Sequence, residues 1–234
     1  MQCVILAGGM GTRMSAMFPN IHKCLIPIND IPFIDYQLKY LSNSGITSIV
    51  LSVGHLADQV KNYVQDGSKW NLHIEYIEDG DVLLGTGGAL RKAYDASVLE
   101  EAFLITYGDS FLPIHFEWIF EYFKQKSLSA LMTVYHNENK LDSSNAIYEN
   151  DLVFYDKQKN SKPKSEFNYI DYGLSILDRN IVKDYIPINQ KYDLSTLFHQ
   201  LSVENKLSGY KIDERFFEIG SPEGLQDFTD WINK

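Results

Sequence analysis

Short apolar runs alternate along the first half of the chain with segments of helical period. This alternation is the sequence form of βαβ units around a largely parallel sheet. Cys3–Leu6, Ser48–Leu51, Ile74–Ile77, Phe103–Thr106 and Ala130–Val134 read as strands. Between them, Ile34, Leu38 and Leu41 recur at i, i+4, i+7 with Gly45 as a stop signal, and Phe116, Ile119, Phe120 and Phe123 at i, i+3, i+4, i+7. These stripes read as core. Beyond about residue 136 the strands shorten (Asn145–Tyr148, Leu152–Tyr155, Tyr169–Leu177) and a polar run, Lys157–Lys164, interrupts them. Helical period returns at Leu194, Leu197, Phe198 and Leu201, and Ser221-Pro222-Glu223 opens a final helix with an N-cap, a first-turn proline and an acid at the positive end. The expected fold is α/β, a Rossmann-like mixed, mostly parallel sheet flanked by helices. A single domain over 1–234 is expected, with 1–135 and 136–234 as its two halves.

Composition narrows the function classes. Of 234 residues, 44% are hydrophobic and 22% charged, enough apolar matter for one sizeable core. Lys and Arg number 21 against 31 Asp and Glu, so the net charge of −10 repels nucleic-acid backbones and anionic bilayers. A phosphate ligand must then be met by a local pocket. Only Cys3 and Cys24 occur, so neither a disulfide framework nor paired thiolate spacing is present. Nothing at the N-terminus reads as a basic-then-apolar leader, and no window approaches a membrane span. A reducing, cytoplasmic setting is expected.

The chemistry concentrates in Leu6-Ala7-Gly8-Gly9-Met10-Gly11-Thr12-Arg13, a glycine-rich turn directly after the first strand. Three glycines let the backbone approach an anion and turn successive N–H groups inward, and Arg13 adds a planar cation. A tight strand exit with a solvent-facing arginine is the competing reading. The dinucleotide fingerprint fails here, because Met14 stands in the third glycine slot and Leu51-Ser52-Val53 lacks the ribose-binding acid. The Walker pattern also fails: Gly80 and Gly85 have the spacing, but Thr86 and Gly87 follow where lysine and a hydroxyl residue belong. His22, His55, His115 and His136 show no metal-ligand spacing and read as structural.

Leu6 to Arg13 followed by Lys23 resembles the signature of the sugar-1-phosphate nucleotidyltransferases. The likeness continues in order through Gly85-Thr86-Gly87-Gly88-Ala89, Gly108-Asp109, Asp156-Lys157 and Glu218-Ile219-Gly220-Ser221-Pro222-Glu223. The short loop from Arg13 to Lys23, with Pro19-Asn20 inside it, looks most like the heptose 1-phosphate guanylyltransferase branch. The resemblance implies that a sugar 1-phosphate attacks the α-phosphorus of an NTP, with GTP the expected nucleotide, and that pyrophosphate leaves. It implies Arg13 and Lys23 as catalytic residues. Leu6, Ala7, Gly8, Gly9, Gly11, Thr12, Gly85, Thr86, Gly87, Gly88 and Asp109 join them around the nucleotide. Asp109 and Glu218 are implied as ligands of Mg²⁺ or Mn²⁺, although glutamate replaces the commoner aspartate at 218. Lys157 is implied as the sugar-phosphate cation, and Asn145, Asp171, Tyr172 and Gly173 as the sugar pocket, with Tyr172 equally readable as core. The expected partners are an NTP and a sugar 1-phosphate, with a second copy of the chain as a candidate and neither nucleic acid nor membrane. Three alternatives stay open. They are a cytidylyltransferase acting on another sugar phosphate, phosphocholine or a phosphonate; a non-catalytic nucleotide-sugar sensor; and a nicotinamide oxidoreductase, which Met14 disfavours.

Overall fold

The computed structural model describes residues 1–80, 83–137 and 139–234. The first half contributes β1 (Gln2–Ala7), the short pair β2 (Pro27–Ile28) and β3 (Ile31–Pro32), α1 (Phe33–Asn43), β4 (Ser48–Val53) and α2 (Ala57–Val64). It continues with β5 (His73–Glu78), α3 (Gly85–Asp95), β6 (Ala102–Tyr107), β7 (Ser110–Phe111), α4 (Phe116–Gln125) and β8 (Ala130–His136). The second half adds β9 (Ala146–Glu149), β10 (Leu152–Tyr155), β11 (Tyr169–Asp178), α5 (Arg179–Tyr185), α6 (Leu194–Val203), β12 (Ser208–Ile212), β13 (Phe217–Glu218) and α7 (Pro222–Ile232).

Nine of these strands form one sheet in the order β5-β4-β1-β6-β11-β8-β12-β10-β9. The mixed sheet expected from the sequence is present. Its parallel pairing runs through β5-β4-β1-β6 and between β8 and β12. β11 comes from the second half, lies between β6 and β8, and runs antiparallel to both. β1 is buried along its whole length because both faces of the sheet are covered. Cys3, Ile5 and Ala7 point into a cluster closed by α1, α2 and α4, whereas Val4 and Leu6 point into one closed by α3, α5 and α6.

The strands and helices anticipated from periodicity are all found. Among the elements that escaped it, four did so for identifiable reasons. α2 starts after Leu56 in a left-handed conformation without a side-chain cap, so no start signal marks it. α3 carries Gly85, Gly87 and Gly88 in its first turn against their low helix propensity. α5 is only seven residues long, and β12 reads Ser-Gly-Tyr-Lys-Ile, too polar for a buried run.

α7 begins as expected: Ser221 Oγ accepts from the Gly224 amide (3.1 Å) and Pro222 occupies the first turn. Its Phe228 is fully buried against Phe33, Tyr36, Phe111, Phe217 and Trp231. The same cluster takes in Met14 from the glycine-rich turn and Ile219 beside Glu218, so one apolar knot anchors two segments that carry polar chemistry. Phe228→Ala should destabilise the protein by about 3–5 kcal/mol through the cavity it leaves, read as a lower denaturation midpoint in urea. A loss below about 1 kcal/mol would mean that α7 is not part of the cooperative unit.

Candidate active site

Parallel strands point their carboxyl ends the same way, and the turns that leave those ends are the natural ligand sites of an open α/β sheet. Here the exits of β1 and β6 lie side by side, Leu6 pairing with Tyr107. The Gly108 amide donates to the Leu6 carbonyl (3.0 Å), and a Cβ at Gly108 would stand 2.7 Å from that of Ala7. Glycine at 108 is therefore required for Asp109 to emerge beside the glycine-rich turn. Gln37 of α1, which no sequence signal marked, holds that exit from behind. Its buried Nε2 donates to the carbonyls of Tyr107 (2.8 Å) and Ser110 (2.8 Å), on either side of Gly108-Asp109.

A small antiparallel pair completes the arrangement. β13 pairs with β7, setting Glu218 opposite Ser110, and the Ile219 amide donates to the Asp109 carbonyl (2.9 Å). Two carboxylates distant in sequence thus become neighbours. Burial, and after it the Asp109 charge, push the Glu218 carboxyl up to about 7, with Lys23 opposing. Lys23 Nζ donates to Asp109 Oδ2. A Cβ at Gly220 would lie 3.0 Å from Lys23 Nζ, 3.1 Å from Arg13 Nη2 and 3.5 Å from Asp109 Oδ2, so the bare glycine is what allows these charges to gather.

His22 fixes the lysine. The imidazole caps the short helical turn Lys23–Leu25 by accepting from the Cys24 amide (3.3 Å), and its Nε2 donates to the Ala7 carbonyl (2.9 Å) in the tautomer this selects. Burial holds His22 below the usual imidazole range, which suits a neutral ring bridging β1 to Lys23.

Around this centre a cavity of about 330 Å³ is lined by Leu6, Ala7, Gly8, Gly9, Gly11, Lys23, Gly85, Thr86 and Asp109 from the expected set, together with His22, Ser52, Asp79, Leu83, Tyr107 and Lys191. Arg13 and Thr12 are exposed at its margin and do not line it. Gly87 and Gly88 are a correction. Both amides donate to the Tyr192 carbonyl (2.9 and 3.1 Å), and a Cβ at either would stand 2.7 Å from Tyr192 Cδ1 or Leu84 Cβ. They pack α3 against the residue 192 segment instead of facing a ligand.

A second cavity of about 240 Å³ holds Asn145, Lys157, Asp171, Gly173 and Glu218, with Asp142, Tyr155, Asp193 and Phe216. Thr86 and Tyr107 line both cavities, which therefore adjoin. A bulge in β11 between Asp171 and Ser175 shapes this one, with Gly173 at φ +98°. The buried Thr133 hydroxyl donates to the Leu174 carbonyl at the bulge (2.7 Å). Asn145 Oδ1 accepts from the Asp171 amide (2.9 Å), which locks its side chain. Asp156 is the organiser of the Lys157 loop: its two oxygens accept from the amides of Gln158, Lys159, Asn160 and Ser161. Burial pushes that carboxyl up, but these donors hold it below the usual carboxylate range. Tyr172 is corrected to core. It is 1% exposed and packs edge-on against Phe216, because alternation along β11 sends it to the face opposite Asp171.

The sequence pattern of the nucleotidyl transferase family matches residues 2–232. The chain belongs to that family. It is 28% identical to a D-glycero-alpha-D-manno-heptose 1-phosphate guanylyltransferase of Campylobacter jejuni over 97% of this chain and 98% of the relative. It is also 28% identical to a UTP–glucose-1-phosphate uridylyltransferase of Synechocystis, over 92% of this chain but only 58% of that relative's length. Among solved structures, HddC from Yersinia pseudotuberculosis superposes with a TM-score of 0.79 at 22% identity, covering 99% of both chains. That likeness establishes the nucleotidyltransferase fold.

Asp171 offers a test of the second cavity's burial. Burial pushes its carboxyl up to about 6 from 3.8, against the Gly173 amide and the Lys157 charge. An acid whose pKa rises on folding is most favourable to the folded state below its unfolded value and costs stability as pH climbs through its folded one. Asp171→Asn keeps an acceptor for the Gly173 amide (3.0 Å). It should raise Tm over wild type near pH 8 and leave it unchanged near pH 4. An equal gain at both pH values would contradict the assignment.

Proposed function

We propose that the chain joins a sugar 1-phosphate to an NTP, releasing pyrophosphate and forming an NDP-sugar, with GTP as the nucleotide and a heptose or related hexose 1-phosphate as acceptor. The carrying observation is the cluster of Arg13, Lys23, Asp109 and Glu218 beside two adjoining cavities, one backed by a glycine-rich turn and one lined by the carboxylates of Asp142, Asp171, Asp193 and Glu218. The guanylyl reading draws support from the C. jejuni relative, which this chain matches nearly end to end.

The reaction needs no covalent enzyme intermediate. A sugar-phosphate oxygen attacks the α-phosphorus in line as the bond to pyrophosphate breaks, so the protein's task is positioning and neutralisation. The amides of Gly8, Gly9 and Gly11 face the polyphosphate, and Arg13 at the margin takes charge on the leaving pyrophosphate. Lys23 attends the α-phosphate, exchanging its contact with Asp109 for one with substrate. Lys157, braced by the Asp156-centred loop, brings the second anion in. Asn145 and Asp171 orient sugar hydroxyls while Thr86 and Tyr107 stand between the two ligands.

Asp109 and Glu218 fit a divalent cation. They are two hard-oxygen donors brought together at strand ends, with Glu218 destabilised as an anion by burial and, after it, by its neighbour. Among the described residues no group of three or more ligating side chains forms a closed cage, and Mg²⁺ is commonly held by one or two carboxylates plus substrate phosphates. Such an ion would supply charge neutralisation at the phosphates.

Arg13→Ala and Lys23→Ala should each lower turnover by about 100-fold or more with unchanged far-UV circular dichroism, measured as pyrophosphate release from GTP and a sugar 1-phosphate. EDTA should abolish activity and Mg²⁺ or Mn²⁺ restore it. Turnover within about threefold of wild type in both variants would overturn the assignment.

A further inference from the structure

Asp79 is a polar wall residue of the nucleotide cavity with no assigned work. It directly follows β5, and its amide continues the ladder by donating to the Val53 carbonyl (3.1 Å). The strand order β5-β4-β1-β6 puts Asp79, Gly54, Gly8 and Asp109 in a row of successive exits. Three inter-strand steps separate the first from the last, roughly 14 Å at the spacing of neighbouring strands. A nucleotide whose α-phosphate sits by Lys23 and Asp109 and whose body lies along this row therefore brings its base to the β4–β5 end. There the cavity wall turns apolar, with Leu6, Leu83 and Ala89 around Ser52 and Asp79.

The Asp79 side chain leans back across the end of β4. A Cβ at Gly8 would stand 3.2 Å from its Oδ2, so glycine there leaves the carboxylate its place. Its Oδ1 is buried and finds no hydrogen-bond partner among the described residues. Buried polar atoms are nearly always paired, so an orphan acceptor in a ligand cavity calls for donors from the ligand. Burial pushes this carboxyl above its usual range, against the Leu84 amide and the Lys92 charge.

An ionised carboxylate accepts only, through two oxygens side by side. Guanine matches it with the adjacent N1–H and 2-amino donors. Uracil and thymine offer one N–H flanked by carbonyl oxygens, and cytosine and adenine set a ring acceptor beside their amino group, so each would press an acceptor against the carboxylate. We propose that Asp79 selects the base, its carboxylate taking both the N1–H and the 2-amino group of a guanine nucleotide. This rests on the guanylyl reading above and assigns that specificity to one side chain.

The test compares wild type and Asp79→Asn by pyrophosphate release with GTP, ITP, which lacks the 2-amino group, and XTP, which carries a carbonyl in its place. Wild type should favour GTP over both by roughly 10-fold or more in kcat/KM. Asparagine offers one acceptor and one donor, the complement of xanthine's N1–H and C2 carbonyl, so the variant should lose its GTP preference and gain on XTP in absolute rate. A gain of that kind cannot come from misfolding. Wild-type preference for GTP combined with unchanged nucleotide ratios in the variant, or with a uniform loss across all three, overturns the role of Asp79 alone. A wild type that prefers UTP or CTP to GTP overturns the guanylyl reading and the proposal together.

Discussion

Everything at the candidate active site depends on a single electrostatic constraint: Asp109 and Glu218 are set side by side, and their repulsion must be offset by cations. Lys23 meets Asp109 directly, and Arg13 closes over Gly220 beside them. A site of balanced, partly desolvated charges is suited to a reaction in which two anions must approach each other. Its own carboxylates can hand their cationic partners to incoming phosphates at small cost, because one set of charge contacts replaces another. The overall charge of −10 makes this local arrangement necessary, since the rest of the surface repels the substrates.

Holding that arrangement is the work of apolar and neutral polar groups remote from the chemistry. The fully buried β1 gives the glycine-rich turn a rigid origin. The Phe228 knot ties Met14 on one side of the charges to Ile219 on the other. Gln37 and His22 are neutral bridges, one bracing the exit of β6 and the other linking β1 to the lysine turn. Neither carries charge into the site, so neither disturbs the balance they support. The second cavity follows the same logic: a bulge turns Asp171 and Gly173 inward, and an aspartate that spends both oxygens on backbone amides shapes the loop of Lys157.

Much of this was legible in advance because it is local. Strand runs, helical stripes and the Ser221-Pro222 start depend on residues close in the chain, and the glycine-rich turn, marked by composition alone, lines the first cavity. The misreadings share a cause. Gly87 and Gly88 look like part of a second, nucleotide-binding glycine loop, yet whether a glycine amide is free depends on what packs on it, and here the Tyr192 carbonyl does. Tyr172 and Asp171 are adjacent in sequence, and only the direction of the β11 pleat sends one to the core and the other to the cavity. Gln37 and His22 carried no pattern, since their partners lie far away in the chain, and Asp79 carried none because only the strand order brings it to the cavity wall.

The sequence by itself determined the element order, the glycine turn after the first strand and the charged residues available to a phosphate. Only the tertiary structure decided that Glu218 stands beside Asp109, that β11 enters the sheet between β6 and β8, and that two cavities meet at Thr86 and Tyr107. The physical reason is range. Propensity and periodicity act over a turn or a strand, whereas the pairing of β7 with β13 and the burial of a carboxylate are settled by groups brought together only when the whole sheet closes its core.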